Sequence, residues 1–518
     1  MTGITRDPYT GSPVVTTRLP SVAAVGSHRS SMAVARETFY GYDEVHRARA
    51  EVVRVDDERS LARALRRLAG REVTVRGGGF SLDAQALGSD VALLLDGEGF
   101  AGVGPVELRR GRATVTAGAM ATWRDVLAAT SREGYVPTST VTGGGVTVGG
   151  TVSSNCLSRF SGAWGEEGEA IERARVMLAS GEVVTARPGA PAGSLERRLF
   201  EGVVGGLGGL GVVLDATYAL RRVSSRRAPR VSTRFEPVGW RRFTWEDFTA
   251  RVKAETLHAR RAVKALGARA FTGPLPAGVR DAVSATAWFR RMGPRGLILR
   301  SRHVSTSALK PASLYAGEGF KRTVAEWALC HDPLADFAQT IFKSDRVLRS
   351  RSVDRLDPFT FFMDGNVAAR ASARACGNRL TSHQQTFMVP EREAAGFCAE
   401  VEAMTAALHP TILDLLYLRA DRSGSLLSPL RDLDAFAVTL GYQTLNGDRL
   451  AAARRILKRL ARRCADLGGR VSLVKNVYAD DAVLRGMYSD GLALYAPLKR
   501  ELDPRGGFTN GVLRRLLR

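Results

Sequence analysis

Between residues 46 and 223, short apolar runs alternate with helical stretches and glycine. Leu61–Leu68 reads as an amphipathic helix with arginines on its outer face. Val73–Val75 is a short strand that runs into Gly77-Gly78-Gly79, and Val91–Leu95 is a buried-strand run ended by Asp96. Arg112–Ala117 alternates as a strand, and Trp123–Ser131 reads as a helix. Val176–Leu178 and Val183-Val184 predict a hairpin around Ser180-Gly181, and Val212–Leu220 predicts a further strand. From about residue 224 the pattern changes to Arg-rich loops, scattered aromatics and longer helices. There, Val438–Tyr442 and Val471–Val474 read as core strands and Leu450–Leu467 as a helix with apolar residues at helical spacing. Residues 1–45, rich in Ser, Thr, Pro and Gly, are expected to be a loosely structured lead-in.

A chain of 518 residues is too long for one ordinary core, and 44% hydrophobic residues suits a globular protein of at least two domains. The formal net charge is +23, from 75 Lys+Arg against 52 Asp+Glu. An arginine bias spread over solvated faces accounts for it, as does attraction to an anionic substrate or peripheral contact with an acidic membrane. No recognised module accompanies the charge, so nucleic acid is not expected as a partner. Cysteines stand at 156, 330, 376, 398 and 464 with no CxxC, which indicates neither a disulfide framework nor a metal site. The opening MTGITRDPYTGSPVV has no positive head before an apolar run, and no long apolar stretch spans a membrane. Reduced thiols and a cytoplasmic location are the expectation.

Three glycine clusters carry the chemistry: RGGGFS (Arg76–Ser81), GGGVTVGGTVSS (Gly143–Ser154) and GGLGGLG (Gly205–Gly211). Glycine marks positive φ or close approach of the backbone, and successive bare amides in such loops form anion-binding concavities. Each cluster lies beside a predicted strand, so together they suit the diphosphate of a dinucleotide. No GK[ST] follows any of them, which excludes a P-loop. Gly205–Gly211 runs into a strand rather than a helix, which disfavours a standard nicotinamide-dinucleotide site.

These segments resemble the FAD-binding domain of the vanillyl-alcohol-oxidase superfamily, whose loop reads RGGGHS. Val146–Gly165 is similar to that family's TVGG segment, ARVMLASGEVVTA to its hairpin, and Leu199–Leu220 to its GG-x-G-x-GVI segment. In the second half, HQQTFMVP, GGRVSLVKN and Met487–Leu516 resemble decaprenylphosphoryl-ribose 2-oxidase and its aldonolactone-oxidase relatives. The resemblance implies an α+β protein: a two-subdomain PCMH-type FAD-binding domain with an α/β substrate (cap) domain built on an antiparallel sheet. It implies an extension over 1–45, the FAD-binding domain over 46–223, the substrate domain over 224–478 and a returning segment over 479–518. The implied FAD contacts are Arg76, Gly77, Gly78, Gly79, Phe80, Ser81, Gly143, Thr147, Val148, Gly149, Gly150, Ser153, Ser154, Gly211, Val212 and Asn510.

Two departures bear on the flavin. Relatives that attach FAD covalently use the His of RGGGHS or a Cys before VGG, and this chain has Phe80 and Gly145 there. A non-covalent flavin is therefore expected. Cys156 does not match the attachment position and reads as a small buried filler. Leu157–Gly162 also differs from the His-Gly-Lys-Asn-like stretch of the sugar oxidases.

A fixed cation beside the reduced ring stabilises its charge, and Lys475 in SLVKN matches the lysine of related oxidases. For a base, His383, Tyr417, Asp364 and Tyr442 are candidates, with Gln385 near the pocket. The expected reaction is hydride transfer from an alcohol carbon of a polar, sugar-like or phosphate-bearing small molecule to FAD. The alternatives are a C=C reductase fed by a nicotinamide, and a flavin-fold binding protein without catalysis.

Overall fold

The computed structural model describes residues 3–6, 13–16, 36–43, 45–109, 111–141, 143–223, 230–239, 241–276, 278–287, 295–304, 355–357, 381–410, 412–444 and 447–518. Residues 1–35 form one unit, in which β1 (Gly3–Arg6) pairs antiparallel with β2 (Pro13–Thr16). Residues 36–518 form the other.

The larger unit is α+β, with three sheets among the described residues. The first has the order β3-β4-β6-β5, from β3 (Arg36–Tyr40), β4 (Arg47–Val55), β5 (Val73–Arg76) and β6 (Val91–Leu95). Arg36–Tyr40, expected within the lead-in, instead pairs antiparallel with β4. β4, β6 and β5 run parallel, joined through α1 (Glu58–Arg67). Asp57 and Ser60 close a capping box at the start of α1, and Leu61, Ala64 and Leu65 are buried, as the spacing predicts.

The second sheet is antiparallel. It runs β11-β10-β12-β8-β7, with β9 also on β12, from β7 (Glu107–Arg109), β8 (Arg112–Gly118), β9 (Tyr135–Pro137), β10 (Ile171–Met177), β11 (Val183–Ala186) and β12 (Val212–Arg222). Around it lie α2 (Trp123–Ser131), α3 (Val148–Val152) and α5 (Leu195–Val203), whereas α4 (Ser161–Trp164) packs against the third sheet.

The third sheet is antiparallel too, in the order β16-β13-β15-β14-β18-β19-β17-β20. Its strands are β13 (Arg230–Val238), β14 (Ala282–Ala287), β15 (Gly296–Val304), β16 (Arg355–Asp357), β17 (Thr381–Pro390), β18 (Ile412–Leu418), β19 (Ala435–Thr444) and β20 (Arg470–Val471). The expected core strand Val471–Val474 is shorter: only Arg470–Val471 pairs, and the chain then turns. One face is covered by α6 (Trp245–Leu266), α8 (Ala394–Met404) and α9 (Gly447–Asp466), while α7 (Arg269–Thr272) packs on β12 and β8 of the second sheet. The sheet is tied to the second one by a buried ion pair between Arg221 at the end of β12 and Asp281 beside β14. Arg221 also lies 4.7 Å over the Trp164 ring, a cation–π contact out of water.

The chain ends in α10 (Asp481–Met487), α11 (Ser489–Leu502) and α12 (Gly511–Leu517). Residues 507–510 lie along β5: Val73 N–H donates to Gly507 O at 2.7 Å and Thr509 N–H to Val73 O at 3.0 Å. Buried Lys499 donates to Gly209 O at 2.8 Å, Phe508 O at 2.7 Å and the Asp503 carboxylate at 2.8 Å. One buried cation thus ties the third glycine cluster to the end of the chain. Among the described residues, no helix is long and apolar enough to cross a membrane.

Candidate active site

The three glycine-rich segments converge. β5 ends at Arg76 and runs directly into Gly77–Ser81. The Arg76 guanidinium is held by Tyr40 O at 3.0 Å and lies 4.9 Å over the Phe39 ring. The amides of Gly77 and Gly78 donate to no acceptor among the described residues, so they are left for a ligand. Gly79 has φ +76°, which an L side chain adopts poorly. The second segment is fixed from α2 and β8: Trp123 N–H donates to Val146 O at 3.0 Å and Gly149 N–H to Ala119 O at 2.8 Å. The third joins the second through Gly205 N–H to Val152 O at 2.9 Å and Leu207 N–H to Ser153 O at 2.8 Å.

Between them lies an open crevice lined by residues of all three segments. Of the predicted contacts, Arg76, Gly77, Gly78, Gly79, Phe80 and Ser81 line it from the first segment. Thr147, Gly149, Gly150, Ser153 and Ser154 line it from the second, and Gly211 from the third. Gly143, Val148, Val212 and Asn510 do not. Val148 and Val212 point into the core, where strand and helix periodicity sends them. Asn510 caps α12 and donates to Leu207 O at 2.8 Å, so it braces the third segment from behind.

The cradle is built for backbone. A Cβ on Gly78 would meet Gly145 O at 3.0 Å, and one on Gly211 would meet Met177 O at 2.6 Å. The two departures from covalent attachment touch each other: a Cβ on Gly145 would lie 2.5 Å from Phe80 Cζ. The Phe80 ring, stacked on Tyr42 with centroids 5.7 Å apart, fills the space a cysteine at 145 would need. Bare amides, a long crevice and no nucleophile at either attachment position fit a reversibly bound dinucleotide.

Val474, three residues beyond the last strand of the third sheet, also lines the crevice. The next residue, half-buried Lys475, donates to Gln384 Oε1 at 3.1 Å. Burial pulls its pKa below the ordinary lysine value, while Cys156 and then Asp414 push it back up. Cys156 packs against the hydrophobic core and also lines the crevice. The loop around Lys475 is strapped to the first two-fifths of the chain. Gln85 Nε2 donates to Leu473 O and Lys475 O, both at 2.7 Å, and Asn476 Nδ2 to Asp43 Oδ2 at 3.0 Å. Gln85, Gln384 and Asn476 had no signal in the sequence; no motif distinguishes a lone amide.

His383 and Tyr417 are not brought to the crevice, a correction with a simple cause. Strand side chains alternate between faces. Gln384 faces Lys475, so His383 and Gln385 face the opposite way, where Gln385 Nε2 donates to Leu457 O of α9 at 3.3 Å. His383 contacts the Tyr478 hydroxyl, and burial pulls its pKa down to about 4. Tyr442 is the register partner of His383 and shares that face. Tyr417 lies on the helix side as well, donating to Glu391 at 2.6 Å beneath Lys253 of α6. Asp364 lies outside the described residues.

Behind the crevice wall sits Glu167, fully buried. It accepts from Tyr218 OH at 2.6 Å, Thr151 Oγ1 at 2.8 Å and, more weakly, Cys156 N–H at 3.4 Å. Burial raises its pKa to about 7 against these donors. It therefore braces α3 and the Cys156 loop, both of which contribute to the crevice.

Residues 50–187 match the family model of an FAD binding domain. The chain is similar to cytokinin dehydrogenase 1 of Oryza sativa subsp. japonica, 30% identical over 197 residues, covering 38% of this chain and 34% of the relative. It is similar to an uncharacterized oxidoreductase, ORF5 in the fasciation locus of Rhodococcoides fascians, 35% identical over 159 residues, covering 30% and 34%. Cytokinin dehydrogenase 4 of Arabidopsis thaliana is 31% identical over 138 residues, covering 27% and 23%. The chain spans about a third or less of the length of these relatives.

Proposed function

We propose a reaction for a chain that belongs to the PCMH-type FAD-linked oxidase superfamily: oxidation of an alcohol carbon on a polar small molecule, with FAD held without a covalent bond. In this reading residues 46–223 seat the FAD, 224–478 supply the substrate pocket, and 479–518 return to brace the seat. The supporting observation is a crevice lined both by Gly77 and Gly78, whose amides are bare, and by Val474, next to Lys475.

The FAD supplies the two-electron acceptor. Gly77 and Gly78 would hold its diphosphate through their N–H groups. Phe80 and Gly150 shape the channel. Lys475, fixed by Gln384, would supply positive charge to stabilise a reduced flavin. Gln85 keeps that lysine's loop in register with the seat. The basic surplus favours an anionic substrate, and the dehydrogenase relatives favour oxidation of substrate over C=C reduction.

The test is anaerobic mixing of the holoprotein with a panel of alcohols, sugars, amines and NADPH, following the flavin absorbance. Bleaching by an alcohol or sugar supports the reading. Bleaching by NADPH alone supports a reductase, and no bleaching by any of them a binding protein. Lys475→Ala is expected to slow reduction at least tenfold while leaving FAD bound.

A further inference from the structure

The third sheet shows a row of polar side chains that its core does not explain. Thr286, Asp414, Thr439 and Thr386 are successive register partners on β14, β18, β19 and β17. Directly opposed residues of antiparallel strands share a face. The hydroxyl of Thr286 donates to Asp414 Oδ1 at 2.5 Å, and the Thr386 and Thr439 hydroxyls lie 2.8 Å apart. Two residues along on the same face, Gln384 meets Lys475. In the other direction the face turns apolar, with Leu416, Ala437 and Met388 in one cluster with Leu157. The row therefore lies on the Lys475 side of the sheet, opposite His383 and Tyr417.

A carboxylate is an unfavoured residue for the middle of a half-buried strand. Asp414 is half-buried, and Thr286 is its one hydrogen-bond partner among the described residues, which leaves Oδ2 without a donor. It makes no direct ion pair there either. It acts on the Lys475 ammonium through space, favouring its charged form. Asp414 and Gln384, the partner of Lys475, lie on one face of the sheet, and Val474, next to Lys475, lines the crevice. Thr286 fixes the carboxylate, and its open oxygen has no structural task.

We propose that Asp414 is the catalytic base of the oxidation, a role that rests on the reaction proposed above. The substrate is an alcohol that donates its hydroxyl to Asp414 Oδ2 and accepts from Lys475 and the Gln384 amide. Its C–H and O–H bonds break and a C=O bond forms. The C–H electron pair leaves with hydrogen as hydride to FAD, and the hydroxyl proton goes to Asp414, which returns it to solvent. Such a base contributes roughly 10²–10⁴-fold to the rate.

The experiment compares FAD-loaded wild type, Asp414→Asn and Thr286→Val with the alcohol or sugar that bleaches wild type. Stopped-flow reduction is read across pH, with the dissociation constants of substrate and FAD from spectral titration. Asparagine keeps the Thr286 hydrogen bond and the shape. The expected result is reduction at least 100-fold slower in Asp414→Asn, with the rise of rate with pH abolished and FAD affinity unchanged. Thr286→Val, which frees the carboxylate to rotate, is expected to lose about tenfold in rate and keep the rise. If Asp414→Asn reduces at the wild-type rate at every pH, Asp414 is not the base and the oxidase reading stands. If no alcohol or sugar bleaches wild type, the oxidase reading fails, and the base with it.

Discussion

Replacing Glu167 by glutamine removes a buried carboxylate that accepts from Thr151 and Cys156 of the crevice lining and gives a measurable pH signature. Burial raises Glu167 from 4.5 to about 7, so the folded chain holds this proton more tightly than the unfolded one. Its contribution to stability is therefore fully present below pH 4.5. It is lost progressively as pH rises to about 7, because unfolding then releases a proton that the fold retains. Between those limits the penalty grows to about 3 kcal/mol, at 1.36 kcal/mol per pH unit. Glutamine never ionises and can still accept from Tyr218. The stability of Glu167→Gln relative to wild type should accordingly rise by about 3 kcal/mol between pH 4.5 and pH 8. Glu169 is raised to about 7 as well and is present in both proteins, so the difference between the two curves isolates Glu167. Urea unfolding at saturating FAD, followed by tryptophan fluorescence, measures it. Trp123 donates to Thr151 in the same cluster and reports on it directly. Parallel curves, with a difference constant to about 0.5 kcal/mol, would refute the burial argument.

Two further perturbations probe the seat and its brace. Gly145→Ala puts a Cβ 2.5 Å from Phe80 Cζ and drives the ring into the crevice. FAD affinity should fall at least tenfold by fluorescence titration, and Phe80→Ala in the same chain should restore it; wild-type affinity in the single variant would contradict the geometry. Lys499→Met leaves the Asp503 carboxylate buried without its cation. The expected loss is about 3–5 kcal/mol in urea unfolding, with earlier proteolysis of the last helix. A loss below about 1 kcal/mol would show that the lysine is a surface group.

Much of the first two-fifths was legible because its signals are local. The helix at Leu61–Leu68 and the strands at Val73, Val91 and Val212 follow from periodicity and position beside glycine. Lys475 was legible as a motif residue, but a strand over Val471–Val474 does not account for its placement. The chain turns after Val471, and Gln85 and Asn476 hold the lysine's loop. The base candidates failed on parity. In HQQTFMVP, a one-residue difference decides whether a side chain meets α9 or the crevice, and composition does not reveal which. Asp414 lies in ILDLLYL with no neighbour to mark it. Its significance comes from partners on three other strands, Thr286, Thr439 and Thr386, more than a hundred residues apart at the extremes. Asn510, a ligand contact implied by the resemblance, caps α12 and donates to Leu207 O of the third glycine segment.

The most direct test of the central claim is the FAD-binding isotherm of the apoprotein, wild type against Gly150→Glu. Gly150 is exposed within the crevice lining, where a carboxylate can be added without breaking the core and would face the diphosphate. The account predicts one FAD per wild-type chain, all of it released by acid. It also predicts a Gly150→Glu protein that is folded by circular dichroism and binds at least 100-fold more weakly. A folded variant with unchanged FAD affinity would place the cofactor somewhere other than this crevice.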